Sequence, residues 1–186
     1  MINIAIYASG SGTNAENLIT FFSNSSLARV SIVLCNNPKA GVIERSNRLG
    51  VPCRVFKKDA LGETLPTLQS YSIDFIILAG FLLKFPDEII EKYTGRIINI
   101  HPALIPKYCG KGMYGHHVHE AVIAAKEKES GITIHLVDNQ YDHGTILFQA
   151  KCTIDENDTP DGLAAKIHIL EQRHFPEVVE EYLNRL

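Results

Sequence analysis

Between Asp74 and Ala79 the chain reads Asp-Phe-Ile-Ile-Leu-Ala, apolar at every position after the first and closed by Gly80. A strand with one wet face alternates polar and apolar residues. A strand that is apolar at both parities belongs in a parallel sheet with helices on both faces. The neighbouring segments supply such a sheet. Ile2 to Ala8 is a β-rich run followed by helical periodicity over Ala15 to Phe22, and Arg29 to Cys35 is a second strand. Val42 to Leu49 is a short helix stopped by Gly50, Cys53 to Phe56 is a third strand, and Leu61 to Tyr71 is a helix whose register Pro66 blurs. Pro86 to Tyr93 is a short helix with Pro86 in its first turn, leading into a fifth strand at Arg96. This alternation predicts an α/β protein: a doubly wound, mostly parallel, Rossmann-like sheet flanked by helices, with ligands at the strand carboxyl ends.

Beyond the fifth strand the pattern changes. Gly131 to Val137 alternates as a strand, an acidic turn runs from Asp138 to Gly144, and Thr145 to Ile154 returns, predicting a C-terminal β-hairpin. Thr159 then caps a helix that opens on Pro160 and carries His168 and Glu171 on one face. A separate last helix is expected from Pro176 to Leu186. At 186 residues the whole, 1–186, reads as one domain.

The balance of 45% hydrophobic and 21% charged residues with net charge −3 fits an ordinary globular protein and argues against a basic nucleic-acid groove. Ile2 to Ala8 lacks a basic leader, and the longest apolar run, Phe75 to Leu83, is about half of a membrane-spanning helix. A cytoplasmic protein with no membrane or nucleic-acid partner is expected. Cys35, Cys53, Cys109 and Cys152 lie far apart, as reduced thiols do. His116, His117 and His119 cluster at a helix start after the glycine-rich stretch Tyr108 to Gly115, but no Glu stands at the spacing of a helical zinc motif, so no metal is expected.

Two stretches carry chemistry. Ser9-Gly10-Ser11-Gly12-Thr13-Asn14 joins the first strand to the first helix, where free backbone N–H groups and the helix dipole suit a phosphate. Gly12 is expected where a Cβ would come between those amides and the anion. The loop formally fits a dinucleotide fingerprint, but the second strand ends in Asn36-Asn37-Pro38 instead of a ribose-binding acid, and no triphosphate-binding loop with its Lys occurs. The second stretch, Arg96 to Pro106, is a strand ending in chemistry. Asn99 and His101 stand two apart and leave the same face, and Pro102 and Pro106 stiffen the turn that follows. A lone Asn caps turns and a lone His sits on many surfaces. Together at strand spacing, an amide donor and an imidazole suit acyl transfer through an oxyanion. No Gly-x-Ser-x-Gly elbow and no Cys–His pair points to a covalent acyl-enzyme.

Four blocks, Ser9 to Asn14, Leu78-Ala-Gly-Phe81, Asn99 to Pro106 and Gly131 to Gly144, make the chain resemble the folate-dependent formyltransferases from end to end. The first block and the short length resemble the branch that formylates glycinamide ribonucleotide in purine synthesis. The resemblance implies a direct transfer from 10-formyltetrahydrofolate, with Asn99, His101 and Asp142 as catalytic residues. It implies Gly12, Thr13, Asn14, Gly80 and Glu171 for the ribonucleotide, and Leu82, Leu83, Lys84, Phe85, Asn99 and Asp138 for the folate. Spacing alone does not choose between Asp138 and Asp142. If Asp142 faces His101, its charge is expected to keep that imidazole protonated at neutral pH. Leu83-Lys84 and His143 stand where relatives commonly carry an arginine and a small residue. The partners implied are small molecules, acting on a monomer or homodimer. The rival readings are a formyltetrahydrofolate hydrolase, which needs no phosphate loop, and a nucleotide-binding module, which leaves the three catalytic candidates unused. A transfer-RNA formyltransferase is expected to add a basic C-terminal domain.

Overall fold

The computed structural model describes residues 1–140 and 142–186; Tyr141, in the acidic turn, lies outside the described residues. Five parallel strands come first: β1 (Ile2–Ala8), β2 (Ala28–Cys35), β3 (Cys53–Val55), β4 (Phe75–Leu78) and β5 (Ile97–His101). Two more, β6 (Glu129–Leu136) and β7 (Ile146–Thr153), add antiparallel to give one sheet in the order β3-β2-β1-β4-β5-β6-β7. The expected doubly wound, mostly parallel sheet with its hairpin is therefore the fold.

Strand parity decides which core each side chain joins. Ile4 and Ile6 of β1 pack with Leu18, Phe22, Ile98, Phe175 and Val179 on one face. Ala5 and Tyr7 pack with Leu68, Ile76, Ile89 and Ile97 on the other. The first face is covered by α1 (Thr13–Phe22), α2 (Val42–Arg48), α5 (His116–Ala124) and α6 (Pro160–Leu183), the second by α3 (Leu65–Ser70) and α4 (Asp87–Lys92). Pro66 does not interrupt α3 but sits in its first turn, preceded by two 3₁₀ turns at Lys58–Ala60 and Gly62–Thr64. Pro86 is the cap residue of α4, one place earlier than expected.

The main departure from the expected fold is at the C-terminus. In place of two helices there is one, α6, with Pro176 buried inside it. Proline has no N–H to give the carbonyl four residues back, which is that of Gln172. Asn17 of α1 fills the vacancy, its Nδ2 donating to Gln172 O at 2.8 Å. A buried carbonyl satisfied from a neighbouring helix removes the reason for the helix to end. At the other end Thr159 caps as expected, its hydroxyl accepting from Gly162 N at 3.1 Å. Asn17→Ala should destabilise the chain by about 1–3 kcal/mol through the orphaned carbonyl, read as a lower denaturant midpoint. A change under about 0.5 kcal/mol would mean that water replaces the amide.

Among the described residues no helix is long and apolar enough to cross a membrane. The four cysteines are free, Cys35 fully buried at the end of β2.

Candidate active site

From β1 and β4, neighbours at the centre of the sheet, the chain winds outward in opposite directions, so the loops after these strands diverge and leave a crevice between them. A cavity of about 930 Å³ opens there, lined by the 10–14 loop, residues 78–85, the end of β5, the 110–116 loop, the β6–β7 turn and one face of α6.

At one end lies the glycine loop. Ser9 ties it down, its N–H donating to Gly80 O at 3.1 Å and its hydroxyl to Asn36 Oδ1 at 2.7 Å. Asn36, standing where a dinucleotide site needs an acid, thus serves the loop. Gly12 precedes α1 at φ +80°, and no side chain caps that helix. The reason for a glycine there differs from the expected one. A Cβ on Gly12 would lie 2.5 Å from the Val42 Cα and Cβ, so the residue lets α2 pack on the loop and does not simply clear space for an anion. Gly12→Ala should therefore lower stability by about 1–3 kcal/mol from the left-handed backbone and the collision together. Gly10→Ala meets nothing within 4 Å and should be near neutral, the two compared by thermal melting.

Asn14, in the first turn of α1, is nine-tenths buried and bonded across to α6: its Nδ2 donates to Glu171 Oε2 at 3.0 Å, and its Oδ1 accepts from Gln172 Nε2 at 2.9 Å. Glu171 Oε2 also lies 3.6 Å from His168 Nδ1, and this carboxylate holds the imidazole above its ordinary value. Gly12, Thr13, Asn14, Gly80 and Glu171 all line the one cavity.

The middle of the cavity belongs to β5. Asn99 and His101 share a face, as their spacing predicts, opposite the face that buries Ile98 and Ile100. Asp142, and not Asp138, faces them: its Oδ1 lies 3.4 Å from Asn99 Nδ2 and its Oδ2 3.8 Å from His101 Nδ1. Asp138 is exposed and accepts from Gln140 N at 2.8 Å. Gly110 N donates to Asp142 Oδ2 at 3.0 Å, fastening the glycine-rich loop to the acid. Burial pushes the Asp142 carboxyl up, but the His135 and His101 rings and the Gly110 amide pull harder, and it ends below its ordinary value.

His101 does not carry the expected charge. Burial pushes its imidazole down further than Asp142 and the Tyr108 carbonyl raise it, leaving it below 6.5. The sequence shows the carboxylate but not the depth at which the ring is held, 4% exposed. Its Nε2 is 2.7 Å from Tyr108 O, a carbonyl that can only accept, so the resident proton is on Nε2 and a second would arrive on Nδ1, facing Asp142.

Apolar walls extend from here. Leu78, Phe85 and Ile90 are buried, with Leu82 exposed and Leu83 half-buried at the rim. Together with Val137 and the polar edge of Asp138 to Gln140 they fit a flat heterocycle with hydrogen-bonding edges. Lys84 points to the surface and pairs with Asp87 at 3.4 Å.

His135, His119 and Tyr108 at the site had no role assigned from the sequence. His135 on β6 touches both Asn99 and Asp142. His119 on α5 is 7% exposed, with Nδ1 buried and unpartnered, and burial lowers its imidazole. Tyr108 supplies the carbonyl that holds His101. For His135 the signal was present, since Thr133 and His135 are polar at one parity of an otherwise apolar strand. His116 and His117 stay at the surface beside Glu120, at 3.7 and 3.1 Å.

A family model described as formyl transferase matches residues 2–179. The chain is 38% identical over 185 residues to the chloroplastic phosphoribosylglycinamide formyltransferase of Arabidopsis thaliana, covering 95% of itself and 63% of that relative, which is thus substantially longer. It is 33% identical to phosphoribosylglycinamide formyltransferase of Bacillus subtilis, covering 98% of itself and 95% of that protein. The crystal structure of phosphoribosylglycinamide formyltransferase from Bacillus halodurans superposes with a TM-score of 0.90 at 34% identity, over 97% of this chain and 95% of the other. The family match over nearly the whole chain, with these relatives and this superposition, shows that the chain belongs to the formyl transferase family.

Proposed function

We propose that the chain transfers the formyl group of 10-formyltetrahydrofolate to the primary amine of glycinamide ribonucleotide, a step of purine synthesis. The observation that carries this reading is the single cavity that joins the 10–14 loop and Glu171 at one end to Asn99, His101 and Asp142 in the middle and an apolar slot beyond. A phosphorylated amine held by the loop reaches a formyl carbon held over the slot without leaving the crevice.

In this reading the folate supplies an activated formyl carbon. The amine adds to that carbon, and the carbonyl electrons move to oxygen. The Asn99 amide donates to the oxygen as charge develops, and His101, taking a proton from solvent on Nδ1 as that charge raises its proton affinity and returning it on collapse, donates beside it. Asp142 steadies the imidazolium and passes on the proton released by the attacking amine. Collapse breaks the bond to the donor's nitrogen, which takes up that proton. No covalent enzyme intermediate is needed.

The test is to incubate the protein with 10-formyltetrahydrofolate, with and without glycinamide ribonucleotide, and to follow tetrahydrofolate. Product that depends on the ribonucleotide supports the transferase. Equal product without it makes the protein a hydrolase, and no product in either case leaves a binding module.

A further inference from the structure

We propose that His135 is a positioning residue that fixes which end of the Asn99 amide meets the reacting carbonyl; the inference rests on the reading of Asn99 as the donor to the oxyanion. His135 stands directly opposite Asn99 in the antiparallel β5–β6 pair and is 2% exposed. Its Nδ1 lies 2.8 Å from the Leu136 carbonyl oxygen. A carbonyl accepts and never donates, so Nδ1 carries a hydrogen, which leaves Nε2 as the ring nitrogen able to accept.

That nitrogen is 3.1 Å from Asn99 Nδ2. An amide has the same outline either way round, with a double donor at one end and an acceptor at the other. Turned over, Asn99 would set its oxygen against the Nε2 lone pair and the Asp142 carboxylate, three acceptors together in a buried place. The ring therefore selects the NH₂ end. Nε2 is also 3.5 Å from Asp142 Oδ1, farther than its 3.1 Å approach to Asn99 Nδ2, so the amide is its nearer partner.

The two hydrogens of the Asn99 amide then have unequal fates. One is held by His135 at 3.1 Å, and the other spans a long 3.4 Å to Asp142 Oδ1. The loosely held hydrogen is the one free to move to an oxyanion, while the tightly held one anchors the group. Thr133, two residues before on the same face, supports the next stretch in a parallel way. Its hydroxyl donates to Ala103 O at 2.7 Å and accepts from Ile105 N at 3.0 Å, pinning the turn that follows His101.

A double-mutant cycle separates positioning from packing. His135→Phe keeps a ring and removes both nitrogens; it should lower kcat about 10–10²-fold, part of what a lost oxyanion donor costs, with KM for both substrates within about twofold. In the Asn99→Ala background the same substitution should change kcat less than about twofold, because nothing remains to orient. His135→Gln, whose side-chain oxygen can accept from Asn99, should regain most of the rate, and it carries the cycle if the Phe variant does not fold. An equal loss in both backgrounds, or no loss in the natural background, overturns the proposal. An Asn99→Ala variant with undiminished kcat instead overturns the reading of Asn99, and the positioning role with it.

Discussion

Asn99→Ala should lower kcat by about 10²–10³-fold while the KM for ribonucleotide and for folate stays within a few-fold. The amide sits at the end of β5, fixed by backbone pairing to β4 and β6, and its Nδ2 already faces the cavity between His135 and Asp142. Such a donor gains strength only when the carbonyl oxygen acquires charge, so its removal is felt in the transition state and little in the ground state. Because the site is preorganised, truncation leaves the backbone geometry in place. Steady-state kinetics with each substrate varied in turn are the measurement. A retained kcat with folate KM raised tenfold or more would make Asn99 a binding contact.

Asp142→Asn should lower the rate at neutral pH by about 10²–10⁴-fold, the range for a general acid–base group, and should recover part of it toward lower pH. Burial holds the His101 imidazole below 6.5, and the Asp142 carboxylate offsets part of that penalty. Without the carboxylate the imidazole falls further, so fewer His101 rings are protonated at any given pH. A reaction that needs the charged ring then runs faster as pH drops and protons come from solution. The pH–rate profile of the variant should shift to the acid side of the natural one. Asp138→Asn should leave that profile unchanged, since Asp138 faces solvent. A variant equally slow from about pH 5.5 to 8.5, the span over which histidines switch, would assign the carboxylate to proton relay alone.

The sequence speaks most clearly where one residue dictates its own surroundings. Phe75 to Leu78 could only be a doubly covered strand, Thr159 and Pro160 could only open a helix, and the two-residue spacing of Asn99 and His101 put both on one face. It misleads where a distant group changes the local rule. Pro176 looks like a helix boundary because Asn17, 155 residues from Gln172, is invisible to local pattern. The charge of His101 was misjudged for a related reason: a partner's sign can be read from a sequence, but the extent of burial arises only when β5, β6 and the 108–110 turn close over the ring. His135 was legible by the parity argument applied to β5, carried one strand further along the sheet.

The Asn17 to Gln172 bond has a mechanical meaning beyond its contribution to stability. It sits one residue from Glu171, and its donor rides on α1, which begins just after Gly12, so the two walls at the glycine-loop end of the cavity are riveted together near their tips. The last two turns of α6, with Val179 and Leu183 in the core, lie beyond the rivet and cannot peel away as an independent fraying tail without first straining it. Opening of the C-terminal segment and loosening of the glycine loop thus become one event instead of two. A ligand seated between those walls would slow exchange of backbone amides at both ends of the chain alike, in residues near 14 and near 180 that stand at opposite extremes of the sequence.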